Sequence, residues 1–120
     1  MSPLPWLYGF LDLCLLCLLH EADDYGYGLI QRLEALGFGE LPGGTIYPAL
    51  LRLERQGLVT TRWQVSTSGP RRKYYSPTAS GTALMTASIG EWAGFRDSVD
   101  RTVALASGLP ATPHERDVAR

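Results

Sequence analysis

The sequence predicts a mainly α-helical fold with one small β-hairpin and a long C-terminal helix. Three observations lead to this prediction. Apolar residues recur at helical spacing in three consecutive segments before Gly57. Residues rich in β-branched and aromatic side chains then flank a turn at Gly69 and Pro70. Helical spacing returns from Ala79 to Val103, a longer run than any earlier one.

The first helix is predicted from about Trp6 to His20, after a flexible leader at residues 1–5 that its prolines keep out of a helix. This helix is apolar on nearly every side, and such a helix is buried on all sides. In so small a domain, one face is expected to pack inward and another to meet a partner chain. The residues assigned to the partner contact in this helix are Leu7, Leu11 and Leu15.

Neither a membrane span nor a metal or redox site is predicted in this helix. The apolar run from Leu4 to Leu19 is shorter than the roughly 20 residues that a spanning helix needs, and Asp12 interrupts it. A signal peptide would begin with basic residues, but the first is Arg32, so we expect a cytoplasmic protein. Cys14 and Cys17 have mostly leucine neighbours and no further cysteine to complete a site, which indicates two small buried hydrophobes.

Two further helices are joined by a glycine-rich turn. Asp23 and Asp24 give a loop or cap signal before helix 2, which covers about Tyr25 to Leu36 and ends at Gly37. Helix 3 covers about Gly44 to Gln56. Its inward residues are Ile46, Leu50 and Leu53, and its opposite face carries Thr45, Pro48, Ala49, Arg52, Arg55 and Gln56.

A hairpin and a long helix complete the chain. The strands are predicted at Leu58 to Val65 and Arg71 to Ser76, and Thr78 can cap a helix from about Ala79 to Val103. Three helices followed by a two-stranded wing form a winged helix-turn-helix, whose third helix enters the major groove of DNA. We therefore assign residues 6–78 to a DNA-binding winged-helix domain, 79–105 to a C-terminal dimerisation helix and 106–120 to a disordered tail.

The apolar stripe of the last helix has no further domain to cover it. Large exposed apolar patches are rare on monomers. The stripe therefore predicts a homodimer, with Ile89 and Val99 at the contact alongside the first helix.

Charge is distributed unevenly along a chain whose net charge is only −1. Residues 1–51 carry six acidic residues and one basic residue, whereas residues 52–73 carry six basic residues and only Glu54 as an acid. Phosphate contact depends on local charge more than on the total, so the basic segment favours DNA binding. A solvated face of arginines would give the same charge pattern.

Three motifs occur along the chain in the same order as in one known family, which they resemble. The run 44–50 (Gly-Thr-Ile-Tyr-Pro-Ala-Leu) resembles the recognition-helix signature of PadR-type regulators, residues 69–75 resemble their wing, and residues 25–29 their second helix. The resemblance covers about residues 7–103. Pro77 and Ala79 depart from it, at the junction between wing and last helix. The resemblance implies the short subfamily with one C-terminal helix. Members of this subfamily are dimeric DNA binders, usually repressors, and small molecules can alter their affinity for the operator.

On helix 3, the resemblance and the outward face together assign Thr45, Tyr47, Pro48 and Arg52 to DNA contact. Thr45 and Arg52 lie on the outer face, where hydrogen bonds and charge can reach bases or phosphates. Tyr47 also fits the inner edge of that face, so a packed aromatic is its alternative role.

On the wing, the DNA-contacting residues are predicted to be Gly69, Arg71, Arg72 and Lys73. Because alternate strand residues point to opposite faces, Arg71 and Lys73 share one face and Arg72 takes the other. Arg71 and Lys73 are predicted nearest to phosphate. The alternative is an edge strand that its charges keep soluble.

Trp92 and Phe95 are assigned to effector binding. Trp92 resembles, by its position, the drug-stacking tryptophan of some short PadR-type multidrug regulators. Ring faces attract flat aromatic and cationic molecules. The alternative is that Trp92 fills the dimer contact as packing.

The predicted function is a sequence-specific transcriptional regulator, a repressor released by an aromatic small-molecule effector. Its predicted partners are an inverted-repeat site on double-stranded DNA and a second copy of the chain. The sequence shows no catalytic constellation or metal-ligand cluster, so we expect no enzyme, cofactor or metal. The alternative is a winged-helix interaction module that dimerises with another regulator without binding DNA.

Overall fold

The structure is a computed structural model, and it describes residues 10–66, 68–106 and 108. It confirms the predicted fold class, since helices dominate and a small antiparallel sheet follows the third helix. The elements in chain order are α1 (Leu11–Glu21), β1 (Asp24–Tyr25), α2 (Gly26–Ala35), α3 (Gly43–Arg55), β2 (Val59–Ser66), β3 (Gly69–Pro77) and α4 (Ala79–Ala104). The chain divides into two compact units, and the boundary falls within α4 between Ile89 and Gly90.

The core of the first unit lies between α1, α2 and α3. Ile46, Leu50 and Leu53 are completely buried, as their spacing predicts. Ala49 is also buried, at 2% exposure, so its assignment to the outward face is wrong. Its position one residue before Leu50 widens the inward stripe beyond the three residues of the prediction.

Two of the residues predicted to meet a partner chain instead belong to this core. Leu11 and Leu15 on α1 are 5% and 0% exposed and pack with the other core residues of their own chain. A helix that is apolar all round gives no sign of which face its own domain covers, which explains the misassignment. Leu7 and the predicted helix start at Trp6 lie outside the described residues.

The sheet has three strands, in the order β1-β3-β2, and not the two of the predicted hairpin. The additional strand pairs Asp24 with Tyr75 and Tyr25 with Tyr74. Two residues are too few to show alternation, so a sequence pattern cannot reveal β1. The loop or cap predicted at Asp24 is wrong, because Asp24 lies in β1 and the N-cap of α2 is Tyr25, with no side-chain cap bond; the Asp24 carboxylate accepts the Tyr25 N–H at 2.8 Å.

The helix ends follow the predicted signals. Gly37 and Gly57 have φ angles of +100° and +74°, which glycine adopts without strain, and they follow α2 and α3. At the start of α4, the Gly81 N–H donates to Thr78 Oγ1 at 3.1 Å, which confirms Thr78 as the cap. β3 continues through Pro77, which pairs with Val59.

The second unit contains the C-terminal part of α4. Its apolar side chains Phe95, Val99 and Val103 are exposed, at 52%, 41% and 53%, whereas Trp92 is half-buried. None of the described helices is long and apolar enough to cross a bilayer. The predicted leader at 1–5 lies outside the described residues, as does the predicted tail except for Ala106 and Gly108.

Candidate nucleic-acid interface

The outward face of α3 carries the four residues predicted to contact DNA. Tyr47, Pro48 and Arg52 are exposed and Thr45 is half-buried. The buried stripe of Ile46, Leu50 and Leu53 fixes this orientation, because it holds the opposite side of the helix in the core.

Tyr47 combines packing with exposure. Its ring lies against the backbone of Gly26, where a Cβ atom would come within 2.2 Å of Tyr47 Cε1. It also approaches Gly43, where the corresponding distance to Cδ2 is 3.2 Å. Yet the residue is 47% exposed, so it is not the core aromatic of the alternative interpretation. Gly26 at the start of α2 therefore sets the ring's position.

Arg52 is exposed but paired. Its guanidinium forms an ion pair with Asp12 of α1, and both side chains are partly open to solvent. The Arg52 side chain can still reach outward, but Asp12 would compete with a DNA phosphate for the guanidinium.

On the wing face shared by Arg71 and Lys73, the two cations differ. The Arg71 guanidinium lies over the indole of Trp63 on β2, 5.2 Å from the ring centroid. Lys73 instead turns toward α3, where its Nζ donates to Glu54 Oε1 at 3.2 Å. Trp63 is 59% exposed and is not among the predicted DNA-contacting residues. The register that pairs Trp63 with Lys73 would have placed it on this face.

Arg72 lies on the other face, as strand alternation predicts. Its guanidinium stacks over Tyr25 of β1 at 4.6 Å, and Tyr25 packs against Tyr74 at 5.5 Å. Arg62 of β2 lies over Tyr74 and forms an ion pair with Asp23 at 2.8 Å. The unpredicted strand β1 therefore supplies the aromatic support for Arg72.

The basic segment is thus divided between paired and unpaired cations. Within residues 10–66, 68–106 and 108, Arg52, Arg62 and Lys73 have carboxylate partners. No described carboxylate pairs with Arg55, Arg71 or Arg72, and all three are exposed; of these, Arg71 and Arg72 stack on rings. Stacking on a ring restrains a guanidinium while its N–H groups stay available to an anion. The geometry can therefore present one oriented cation to phosphate on each face of the wing.

The predicted effector residues lie together on α4. The Trp92 and Phe95 ring centroids are 6.3 Å apart, with the ring planes inclined at 32°. Trp92 is half-buried and Phe95 is exposed. The pair offers an aromatic surface on the helix.

The cysteines of α1 are free and only partly buried, packed against the core. Burial raises the pKa of both thiols, and the neighbouring Cys17 raises that of Cys14 further. A raised thiol pKa disfavours the reactive thiolate. In the described part of the chain, no three His, Cys, Asp or Glu side chains group as a metal site would require.

Several known proteins are similar to this chain. The family model described as "Transcriptional regulator PadR-like family" matches residues 15–87. The transcriptional regulator Rv3488 of Mycobacterium tuberculosis is 39% identical over 72 residues, which cover 58% of this chain and 65% of that protein. The crystal structure of a PadR-like transcriptional regulator from Bacillus cereus is 32% identical with a TM-score of 0.74, covering 82% of this chain and 95% of that one. A PadR family regulator from Eggerthella lenta is 33% identical with a TM-score of 0.70, covering 79% and 82%. The chain belongs to the PadR-like family of transcriptional regulators.

Proposed function

We propose that this regulator binds a specific DNA site as a homodimer and represses transcription until a small molecule releases it. The observation that carries the proposal is the pair of unpaired, ring-stacked guanidiniums of Arg71 and Arg72 on the wing that follows α3. Oriented cations beside a helix with an exposed polar face suit a DNA duplex. A regulator of this kind acts on the chromosome, so the location proposed for it is the cytoplasm.

The two parts of the surface have different tasks in this proposal. α3 enters the major groove, where Thr45, Tyr47, Pro48 and Arg52 read base edges or the adjoining backbone. On the wing, Gly69 allows close approach and Arg71 and Arg72 contact phosphate. The phosphate contacts supply affinity for any sequence, and the α3 contacts supply the preference for one.

A second copy of the chain is the proposed cover for α4. Ile89 and Val99 are exposed in the single chain, at 46% and 41%. Burying such side chains against a symmetry mate removes apolar surface from water. A two-fold dimer carries two copies of α3, so its site is an inverted repeat with half-sites about one helical turn apart.

An aromatic effector is proposed to bind at Trp92 and Phe95. The support is the pairing of the exposed Phe95 ring with the half-buried Trp92 ring, since ring faces offer stacking to flat rings and attraction to cations. Because these residues share α4 with Ile89 and Val99, an effector bound there could change the dimer that presents α3 to DNA.

The deciding experiment measures fluorescence anisotropy of labelled fragments from the protein's own locus at moderate salt. We expect one fragment to bind at least about a thousandfold more tightly than scrambled DNA, as specific sites usually do. A Thr45→Ala variant should lose part of that preference and keep its affinity for scrambled DNA. Equal, weak binding to every fragment would refute the proposal. It would then favour a module that acts by pairing with another regulator.

A further inference from the structure

Glu54 lies near the C-terminal end of α3, and its carboxylate is bonded to both strands of the wing. Lys73 Nζ on β3 donates to Glu54 Oε1 at 3.2 Å. Thr61 Oγ1 on β2 donates to Glu54 Oε2 at 3.3 Å. The Glu54 and Lys73 side chains are each 33% exposed, so the contact is shielded only in part. One acidic residue thereby ties the recognition helix to each strand of the hairpin.

The charge of Glu54 is unfavourable for DNA binding taken alone. It is the only acidic residue between Arg52 and Lys73, in the segment that we propose faces DNA. A negative charge close to phosphate lowers affinity for every sequence. Its two bonds offer a compensating effect, because they restrain the hairpin against rotation about α3.

Lys73 differs from Arg71 on the same wing face. Its ammonium is held by Glu54 and lies 5.7 Å from the centroid of the Tyr75 ring, on the side of the wing next to α3. Arg71, two residues nearer the turn, has no carboxylate partner among the described residues. The two cations therefore have separate tasks: Arg71 is available to phosphate and Lys73 is engaged within the chain.

We propose, building on the DNA-binding function above, that Glu54 and Lys73 are positioning residues that hold the wing at the angle α3 requires. Lys73 does not neutralise a phosphate. The pair raises the ratio of operator affinity to non-specific affinity, since the wing and α3 reach their contacts together only on the correct site.

The test measures affinity for the operator fragment and for scrambled DNA across a range of salt concentrations. Lys73→Met should weaken operator binding about threefold, the size expected for an exposed ion pair. Its slope of log affinity against log salt should match the wild type. The matched control, Arg71→Ala, should lose about 0.9 from that slope. Glu54→Gln should weaken operator binding while binding to scrambled DNA stays constant or tightens.

Two results would overturn the inference. One is a slope for Lys73→Met that falls as far as that of Arg71→Ala, which would place Lys73 on a phosphate. The other is tighter binding of Glu54→Gln to both fragments, which would mean that the Glu54 carboxylate acts only by repelling phosphate. A wild type without operator preference would instead refute the proposed function.

A charge-swapped variant, Glu54→Lys with Lys73→Glu, guards against misfolding in the single variants. It keeps the net charge and restores the ion pair, so it should recover operator preference relative to Glu54→Lys alone. Thermal unfolding of each variant is recorded in parallel. A swapped variant that folds but recovers no preference contradicts the positioning role.

Discussion

The ring of Tyr47 lies so close to Gly26 that a methyl group there would come within 2.2 Å of Cε1. The contact joins the outward face of α3 to the first residue of α2. Gly26 is buried, whereas Tyr47 remains half exposed. The glycine therefore determines where an exposed aromatic of the proposed DNA surface is held.

Replacing Gly26 with alanine should displace the Tyr47 ring and weaken operator binding. The ring is the far end of a side chain and can move, and alanine favours helix by up to about 1 kcal/mol over glycine. We therefore expect a change of less than about 1 kcal/mol in the free energy of unfolding in urea. Gly44→Ala is the control for stability, because no atom lies within 4 Å of the added methyl group, and its free energy of unfolding should rise. Unchanged operator affinity of Gly26→Ala would show that the ring position is immaterial.

Gly81→Ala should destabilise the chain strongly. A Cβ atom at Gly81 would lie 2.0 Å from the Leu58 carbonyl oxygen and 3.4 Å from Leu16 Cδ2. Backbone cannot yield as a side-chain tip does, so we expect a loss of about 2–3 kcal/mol in urea unfolding. Gly90→Ala in the same helix, with open space around it, should not lose stability. Equal stability of the two variants would contradict the close packing at Gly81.

Arg71→Ala should weaken binding to all sequences alike. Loss of one phosphate contact reduces the slope of log affinity against log salt by about 0.9. Anisotropy titrations at several salt concentrations measure it. Arg101→Ala, which removes a cation from the last turn of α4, serves as the control and should leave the slope unchanged. If both variants behave like the wild type, Arg71 is only a solvated charge on Trp63.

Val99→Asp should convert a dimer to monomers. Val99 belongs to the exposed apolar residues of α4, and a carboxylate buried without a partner there would cost several kcal/mol. Light scattering at micromolar concentration gives the mass, and operator binding should be lost with the dimer. Ser98→Asp adds the same charge at the neighbouring exposed position and tests whether charge alone matters. A wild type that is already monomeric would refute the prediction.

Trp92 should report binding of flat cationic dyes. With Trp6 and Trp63 changed to Phe, the remaining emission comes from Trp92, and stacking should quench it at micromolar dye. Phe95→Ala removes the neighbouring ring, 6.3 Å away, and should weaken the binding. If no quenching occurs at micromolar dye, Trp92 has only a packing role.

The sequence could predict those parts of the structure that depend on local periodicity. The fully buried residues Ile46, Leu50 and Leu53 follow from a 3.6-residue repeat, and the helix ends at Gly37 and Gly57 follow from glycine's tolerance of positive φ. The opposite faces of Arg71 and Arg72 follow from strand alternation.

The contacts that refine the candidate site depend on residues far apart in the chain. Asp12 and Arg52 are 40 positions apart, and Glu54 and Lys73 are 19 apart. No local pattern shows which carboxylate a given cation meets once the helices pack. The same is true of Tyr25, whose two-residue strand places it beneath Arg72. The cations of the site can thus be predicted from the sequence, but their partners cannot.

The hydroxyl of Thr78 connects the start of α4 to the backbone just after α3. It accepts from the Gly81 N–H and donates to the Gly57 carbonyl at 2.7 Å, just past the end of α3. The Thr78 N–H is also bonded to the Leu58 carbonyl, at 3.0 Å. The first turn of α4 is therefore bonded to the backbone of the two residues, Gly57 and Leu58, that connect α3 to the wing. Replacing Thr78 would therefore remove the cap of α4 and, at the same time, the bond to the turn that ends α3.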